Sequence, residues 1–347
     1  MAGLGALKRT MSFTILLVFA IFLGLIFIVS YFFLDPTQGL ILAIFGSVFI
    51  ILFQYAIGPV IVRATSRLHY LAPGENRWLE SKVAQLAAQS GIPTPRIAVS
   101  PDPTPNAFVF GRTSKGATLA VHQGLLQRLN EDEIEGVIGH ELGHVKHRDF
   151  IVVTMISAIP LVAYLIFRAV LWGGYASGYS RGSSKNSNAG ALILIAVAAY
   201  AVYILTMLLS LRLTRLRESY ADAYSAFLTQ RPRELESALT KIAYGLSMAP
   251  GEPHGARSFF IEDPAQAKKD VASIIDQKSK YDLDHDGVLS ERELEMAMEA
   301  EAKSSWKRAA ELFMTHPPTY KRILMLREIE QDMNTGTFQQ SNIYNHV

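Results

Sequence analysis

A short segment with two histidines and a glutamate is the part of this sequence best suited to metal chemistry. His140 and His144 are four residues apart in the segment HELGH. Residues at that spacing lie on one face of a helix about one turn apart, so both imidazoles can bind one zinc ion. Glu141 faces the neighbouring side, where its carboxylate can take a proton from an attacking water. We therefore predict two zinc ligands, a general base and hydrolysis of an amide bond.

A third ligand is needed to distinguish a zinc site from a chance match to this pattern. The metzincin class has glycine and histidine three and six residues after the second ligand, but His147 and Phe150 stand there, which excludes that class. The other common solution is a glutamate from a separate helix, with an aspartate one turn later that orients a ligating histidine. Glu218 and Asp222 have that spacing. We predict Glu218 as the third zinc ligand and Asp222 as its supporting carboxylate.

Simpler interpretations of two residues in these segments remain open at this point. Glu218 stands beside Arg217 and three residues after Arg215, and an ion pair with either arginine would leave it on a solvated helix face. His147 is expected to be a surface histidine without a ligand role. The contacts that Glu218 makes in the folded chain decide between these interpretations and a zinc site.

The composition is typical of a polytopic membrane protein. Half of the residues are hydrophobic, only 18% are charged, and the mean hydropathy is positive. The first apolar stretch is too long for a signal peptide, and no cleavage site of small residues precedes Asp35, so we expect it to be retained. Four stretches come near the 20 or so residues that a helix needs to cross a bilayer. They are 12–34, 39–62, 150–172 and 190–211.

Basic residues near the ends of these stretches predict the orientation of the chain. Lysine and arginine next to membrane spans are retained on the cytoplasmic side. This predicts a multi-pass protein of the cell membrane with both termini and the zinc site in the cytoplasm. The absence of cysteine excludes disulfides and thiolate ligands. The basic residues on the predicted cytoplasmic side are Lys8, Arg9, Arg63, Arg67, Lys146, Arg148, Arg212, Arg215 and Arg217.

Between the second and third apolar stretches the sequence predicts a small α+β unit. The zinc helix is expected to begin after Asn130, a good N-cap residue that is followed by an acidic first turn. No proline or glycine separates His144 from the third apolar stretch, so one helix is expected to run from the site into the membrane. Helical periodicity covers about 77–89, and strand-like patterns cover 96–100, 107–110 and 117–122.

Four sequence blocks are distributed over most of the chain. They are 105–108 (PNAF), 140–144 (HELGH), 218–222 (ESYAD) and 315–318 (THPP), the last followed by Arg322. With the paired apolar stretches on either side of the soluble segment, these blocks resemble the HtpX-type membrane zinc metalloproteases, relatives of the CaaX prenyl endopeptidases. The combination is highly specific.

The resemblance implies the same zinc site as the spacing does. In that family the two histidines and the downstream glutamate bind zinc. Carried over to this sequence, the ligands are His140, His144 and Glu218, with Glu141 as the catalytic residue and Asp222 in support. Two independent lines of reasoning therefore give one set of residues.

The resemblance also implies a path for the substrate. The strand near Asn106 and Phe108 would offer its edge to an extended peptide, and such backbone pairing depends little on the peptide's side chains, so broad specificity follows. His316 and Arg322 are candidates for contact with the site or for stabilising the oxyanion. The alternative is that the prolines end a loop and that Arg322 pairs on the surface.

A segment that this family pattern does not require contains a complete EF-hand loop, DLDHDGVLSERE at 282–293. Aspartates occupy positions 1, 3 and 5, Gly287 permits the sharp turn, position 7 offers its carbonyl, and a glutamate occupies position 12. Charged helical sequence lies on both sides, as a helix–loop–helix unit requires. The alternative is a solvated acidic turn. The predicted calcium ligands are Asp282, Asp284, Asp286, Val288, Ser290 and Glu293.

Calcium has several conceivable roles in a single EF-hand, which lacks its usual partner. It can be a structural clamp, a dimer contact or a sensor. A cytoplasmic loop with an affinity of about 0.1 to 10 μM would change its occupancy with the calcium signal. The loop lies between the third zinc ligand and His316. Our hypothesis is therefore calcium-modulated proteolysis.

The predicted architecture is mainly α: four transmembrane helices, a cytosolic zincin-like α+β metalloprotease unit and an EF-hand insertion. The predicted activity is that of a zinc endopeptidase of the quality-control type, modulated by calcium, which hydrolyses peptide bonds of misfolded membrane or membrane-adjacent proteins. The predicted cofactors are one zinc ion per chain and calcium in the EF-hand, and the lipid bilayer is a predicted partner. The alternatives are a prenyl-CaaX-type protease and a calcium-binding membrane adaptor without activity. A net charge of +2 and the lack of a phosphate-binding glycine loop give no sign of nucleic acid or nucleotide. The chain is predicted to have six segments. Two pairs of transmembrane helices lie at 1–62 and 150–211, three parts of the metalloprotease unit lie at 63–149, 212–264 and 309–347, and the EF-hand insertion lies at 265–308.

Overall fold

The computed structural model describes most of the catalytic part of the chain and most of its apolar helices. The described helices are α1 (Leu4–Phe33), α2 (Pro36–Thr65), α3 (Arg77–Ser90), α4 (Gln123–Arg128), α5 (Glu131–His147), α6 (Ile159–Arg168), α7 (Ala189–Thr229), α8 (Pro232–Ser247) and α9 (Thr319–Asn334). The strands are β1 (His69–Tyr70), β2 (Arg96–Ser100), β3 (Ala107–Phe110) and β4 (Thr118–His122). The described residues are 4–33, 36–149, 152, 159–168, 171, 189–247, 280, 283, 296, 311–338 and 346.

The chain forms two compact units. The first comprises Met1–Leu4, Pro59–Phe150 and Thr214–Val347, and the second comprises Gly5–Gly58 and Ile151–Leu213. The first unit contains the small sheet and all the predicted zinc-site residues. A mainly helical protein with several apolar helices and a small sheet is confirmed.

The second unit consists of apolar helices. Its described core contains two clusters of buried side chains, in which α1, α6 and α7 contribute residues such as Phe22, Ile159 and Ala199. The predicted stretch 150–172 is described at 152, 159–168 and 171 only, where the shorter apolar helix α6 lies. Among the described residues, three helices are long and apolar enough to cross a bilayer, while a total of four spans stays a prediction. These three are Met11–Val29, Val48–Thr65 and Ile193–Thr229.

The sheet of the first unit has the strand order β1-β2-β4-β3. β2 and β4 are parallel, with Ala98 opposite Ala120, and β1 and β3 are antiparallel to their neighbours. All five residues of β4 are buried, as expected for an inner strand. β3 is the last strand at one edge of the described sheet. The strands predicted at 96–100 and 107–110 are confirmed, and β4 begins one residue later than expected.

α5 begins as the sequence predicts. The Asn130 side chain accepts a hydrogen bond from the Glu133 backbone, and the Glu133 side chain accepts one from the Asn130 backbone, which together form a capping box. The acidic first turn also suits the positive end of the helix dipole. The helix packs against α3, β3 and α8.

α5 ends earlier than the sequence predicts. Its last residue is His147, and Arg148 adopts a left-handed conformation with φ 57°. The prediction that one helix runs without a break from the site into the third apolar stretch is therefore wrong. The turn at Arg148 brings Asp149 back towards His144, and the two side chains form a hydrogen bond of 2.6 Å.

Candidate metal site

The three predicted ligands meet in the first unit. Nε2 of His140 lies 3.1 Å from Nε2 of His144. The Glu218 oxygens lie 3.4 Å from the first of these nitrogens and 3.6 Å from the second. Donor atoms about 2.0 to 2.2 Å from a tetrahedral zinc ion are about 3.3 to 3.6 Å apart. The two imidazole nitrogens and the two Glu218 oxygens therefore lie within about 0.2 Å of the spacing that a single zinc ion requires.

Glycines in α5 make this meeting possible. A Cβ atom on Gly139 would lie 2.7 Å from Oγ of Ser225, and one on Gly143 would lie 3.2 Å from Cα of Ala221. Both contacted residues belong to α7, the helix that carries Glu218. Ser225 also donates a hydrogen bond of 2.6 Å to the Gly136 carbonyl. The close approach of the two helices brings the carboxylate within reach of the two histidines.

Glu141 is buried beside these donor atoms. One carboxylate oxygen of Glu141 lies within 4.8 Å of the imidazole donor atoms, so distance alone would also allow it as a ligand. The Glu218 oxygens are closer to both imidazoles, which favours Glu218 as the ligand. Burial raises the pKa of the Glu141 carboxyl, and the Val109 backbone hydrogen-bonds to it. Glu141 therefore lies between the metal donors and the edge strand β3.

The other nitrogen of each imidazole contacts a buried aspartate. Nδ1 of His140 lies 2.8 Å from Asp222, and Nδ1 of His144 lies 2.6 Å from Asp149. Burial alone would lower the pKa of His140, but the carboxylates of Asp222 and Glu218 outweigh it and raise this pKa to about 9. A histidine that donates from Nδ1 presents the lone pair of Nε2 to a metal.

Each of these aspartates is paired with a buried arginine. Arg322 makes two hydrogen bonds of 2.7 Å to Asp222, and Arg217 forms an ion pair with Asp149. Arg322 is therefore not a surface arginine, and its guanidinium lies behind Asp222. The pairing of Arg217 with Asp149 also removes one of the partners that the sequence offered to Glu218.

The remaining arginine near Glu218 is also occupied elsewhere. Arg215 donates hydrogen bonds to the carbonyl oxygens of Leu312 and Met314. Glu218 is buried and faces the histidines, so the interpretation that it lies on a solvated helix face is wrong.

Two further histidines lie close to the site. Nε2 of His316 is 3.9 Å from a Glu218 oxygen, and its Nδ1 is 2.9 Å from the Thr315 hydroxyl. The structure thus brings His316 to the predicted metal site. His147 is half-buried, its ring contacts the Tyr224 ring at 5.4 Å, and burial lowers its pKa to about 4. The expectation of a surface histidine at this position is wrong.

The two residues predicted to contact substrate are buried. Asn106 accepts a hydrogen bond from the His122 backbone through its own carbonyl, and Phe108 packs in a core cluster with Val62 and Phe110. The contact between β3 and Glu141 is therefore made by the Val109 backbone at the edge of the strand and not by the Phe108 ring. Substrate contact by these two residues stays a prediction.

The charges around the donor atoms fit a divalent cation. Four carboxylates surround the site, and two buried guanidinium groups balance half of their charge when all four are ionised. One zinc ion would balance the rest, because buried charges are stable only when they are paired. The carboxylates are those of Glu141, Asp149, Glu218 and Asp222, and the guanidinium groups are those of Arg217 and Arg322.

The predicted calcium site lies outside the described residues. Only Leu283 of the loop is described, and its side chain is 60% exposed. The six predicted ligands Asp282, Asp284, Asp286, Val288, Ser290 and Glu293 therefore stay a prediction from sequence.

Sequence comparison gives the family of the chain. The profile of peptidase family M48 matches residues 73–330. The chain belongs to this family. The "Protease HtpX homolog" of Aeropyrum pernix is 36% identical over 276 residues, which cover 80% of this chain and 82% of the relative. That of Thermococcus sibiricus is 34% identical over 337 residues, which cover 95% of this chain and 98% of the relative.

Among solved structures, the crystal structure of S. mikatae Ste24p matches with a TM-score of 0.45 and 18% identity. The match covers 72% of this chain and 62% of that one. The family and its HtpX homologues confirm a membrane metalloprotease of the HtpX type with peptide substrates. M48 metalloproteases use zinc, which agrees with the histidine and glutamate donors.

Proposed function

We propose that the chain is a zinc endopeptidase in which His140, His144 and Glu218 hold the metal and Glu141 is the general base. The observation that supports this most directly is the spacing of the donor groups: the two Nε2 atoms are 3.1 Å apart, and each lies 3.4 or 3.6 Å from one oxygen of Glu218. The two aspartates behind the imidazoles and the excess of carboxylates over guanidinium groups give further support.

Each side chain of the proposed site has a separate role in the hydrolysis of a peptide bond. Zinc in this site would polarise the scissile carbonyl and lower the pKa of a nearby water. Glu141 takes one proton as the water oxygen bonds to the carbonyl carbon, and it passes that proton to the leaving nitrogen as the C–N bond breaks. Burial favours this exchange, because it raises the pKa of the Glu141 carboxyl and so stabilises the protonated form that carries the proton to the nitrogen. Asp222 orients His140 throughout.

We further propose that an extended substrate pairs with the edge of β3, near Asn106 and Phe108. The support is the position of β3 at the end of the sheet and the contact between Val109 and Glu141. Backbone pairing depends little on side-chain identity, which suits a protease for misfolded membrane or membrane-adjacent proteins. His316, close to Glu218, is the candidate for contact with the oxyanion.

The proposed setting is the cell membrane, with four spans and the catalytic unit in the cytoplasm. The support is the asymmetric distribution of lysine and arginine next to the apolar stretches. We retain the six segments 1–62, 63–149, 150–211, 212–264, 265–308 and 309–347, with an EF-hand in the fifth. Calcium binding there is supported by the twelve-residue pattern at 282–293.

A Glu141→Gln substitution tests the proposed enzyme. The full-length protein in detergent should bind zinc and cleave casein, and a chelator should abolish the cleavage. Glu141→Gln should lower the turnover by about 10²- to 10⁴-fold and leave the zinc content unchanged, because only the proton acceptor is removed. The matched control is Glu135→Gln on the same helix, where the carboxylate pairs with Lys82 at 2.8 Å.

The same experiment separates the alternatives. Unchanged turnover in Glu141→Gln, or cleavage that persists in the chelated protein, would show that the peptidase activity does not come from this site. A membrane adaptor would also keep its function in cells after the substitution. A loss of turnover in the Glu135→Gln control would show that any change in α5 inactivates the protein.

A further inference from the structure

Each histidine of the site contacts an aspartate that is in turn paired with a buried arginine. Asp222 lies between His140 and Arg322. Asp149 lies between His144 and Arg217. The family pattern and the ligand spacing suggested the first carboxylate, but neither suggested the second.

We propose that Asp149 and Arg217 are positioning residues for the second zinc ligand, His144. This inference rests on the proposed zinc site. Asp149 accepts a hydrogen bond from Nδ1 of His144 at 2.6 Å, which leaves Nε2 directed at Glu218. Loss of this partner would free the imidazole to rotate or to carry its proton on Nε2, where no metal can bind.

The backbone brings Asp149 to this position. In a continuous helix a residue five positions after His144 would not lie on the same face. The left-handed conformation of Arg148 ends α5 and turns the chain back, and the Asp149 side chain becomes buried. Left-handed residues other than glycine are uncommon and carry a conformational cost. The bonds that Asp149 makes offset this cost.

Arg217 holds Asp149 from the other side. Its side chain is only 3% exposed, and a guanidinium so deeply buried requires a carboxylate partner. Arg217 directly precedes Glu218 on α7. The ion pair therefore connects the end of α5 to the helical turn that carries the third ligand. One contact thus orients His144 and fixes its distance from Glu218.

The test measures zinc affinity rather than activity. Three variants of the full-length protein in detergent would be compared: Asp149→Ala, Asp149→Asn and Arg217→Met. Zinc competition with a chromophoric chelator gives the Kd, and the visible spectrum of the cobalt-substituted protein reports ligand geometry. Asp149→Ala should weaken zinc binding by about 10- to 100-fold. Asp149→Asn should lose less, because the amide oxygen still accepts from Nδ1.

Arg217→Met should also weaken zinc binding, and combining it with Asp149→Ala should add little, because both residues act through His144. The matched control is Arg327→Gln, which removes another ion pair of the same unit, with Glu236 at 2.7 Å. The control should lower thermal stability without changing the zinc Kd or the cobalt spectrum.

Two outcomes would overturn the proposal. One is a zinc Kd for Asp149→Ala equal to that of the wild type. The other is a loss of zinc no larger than in Arg327→Gln, which would leave the pair a structural role only. Glu218→Gln distinguishes these failures from failure of the zinc site itself. If that variant also retains zinc with unchanged affinity, the proposed ligand set is wrong.

Discussion

The protonation of the two histidines depends on carboxylates that never touch the metal. Asp222 and Asp149 contact the Nδ1 atoms of His140 and His144, while Glu218 contacts the opposite nitrogens. A neutral imidazole donates from one nitrogen and binds a metal with the other. Each aspartate therefore selects the tautomer that can bind zinc. Because the carboxylates raise the pKa of His140 to about 9, a zinc ion that binds at neutral pH would displace the proton on Nε2 of this imidazole.

Glu133, in the first turn of α5, is expected to make the stability of the folded protein depend on pH. Burial opposes its ionisation, but hydrogen bonds from Lys241, Ser237 and the Asn130 backbone outweigh burial and hold the pKa of Glu133 below its ordinary value of 4.5. A group whose pKa is lower in the folded state stabilises the fold fully above its unfolded pKa. This contribution is lost as the pH falls below about 4.5.

The measurement compares thermal unfolding of the wild type and Glu133→Gln in detergent from about pH 7 to about pH 3, which covers the range below the unfolded pKa where the contribution is lost. The wild type should be more stable at neutral pH, and the difference between the two should shrink on acidification. Taking the difference cancels the titration of the metal site, which both proteins share. A stability difference that stays constant with pH would mean that these contacts do not stabilise the ionised form of Glu133.

Residue types and spacing predicted the five residues shared with the family pattern, but not the second aspartate or its arginine. Ligands four residues apart are visible in a sequence because a helix places them on one face. The role of Asp149 depends on the left-handed backbone conformation of Arg148. An arginine in a sequence does not predict such a conformation, which is uncommon outside glycine. From the sequence, Arg217 is one of the basic residues that predict the membrane orientation and a candidate surface partner of Glu218. Its burial follows from tertiary packing.

At the scale of elements, the contact between α5 and α7 brings the ligands together. Gly139 and Gly143 face α7 where a side chain would meet Ser225 or Ala221. Gly139→Ala would place a Cβ 2.7 Å from Oγ of Ser225. The Ser225 hydroxyl would have to give up its hydrogen bond to the Gly136 carbonyl and the two helices would have to shift apart, at a cost of about 1 to 3 kcal/mol. We expect lower thermal stability together with weaker zinc binding, because Glu218 would move away from the histidines.

The control for this prediction is Gly24→Ala in α1, where a new Cβ meets nothing within 4 Å. Alanine favours a helix over glycine, so this variant should be as stable as the wild type or more stable. Zinc titration and thermal unfolding of both variants provide the comparison. Normal zinc affinity in Gly139→Ala would show that the close approach of the two helices is not needed to assemble the site.

Most elements of the catalytic unit could be predicted because their signals are local. α3 and β2 follow from periodicity, and α5 begins at a capping box that is visible in the sequence. The two-residue strand β1 has too few residues for a pattern. The end of α5 could not be predicted, because apolar residues continue past it and the break depends on contacts of Asp149.

At the scale of the whole molecule, the site is assembled from distant parts of the chain. The proposed zinc ligands come from α5 and α7, whereas His316 and Arg322 follow the proposed EF-hand insertion. The chain just after that insertion is attached to α7, because Arg215 donates to the carbonyls at 312 and 314. A change in the insertion can therefore reach His316 through a short, bonded segment.

This connection predicts that calcium changes the peptidase rate. Casein cleavage at fixed zinc should change with free calcium, with a midpoint of about 0.1 to 10 μM. Glu293→Gln should remove the response without altering the zinc content, because a bidentate ligand is lost far along the chain from the zinc donors. Glu291→Gln, at a non-ligand position of the same loop, should respond as the wild type does. If the peptidase rates of all three proteins are equal across buffered calcium, calcium does not modulate proteolysis. If the wild type nevertheless binds calcium, the ion has a structural role only, and the loop does not act on His316.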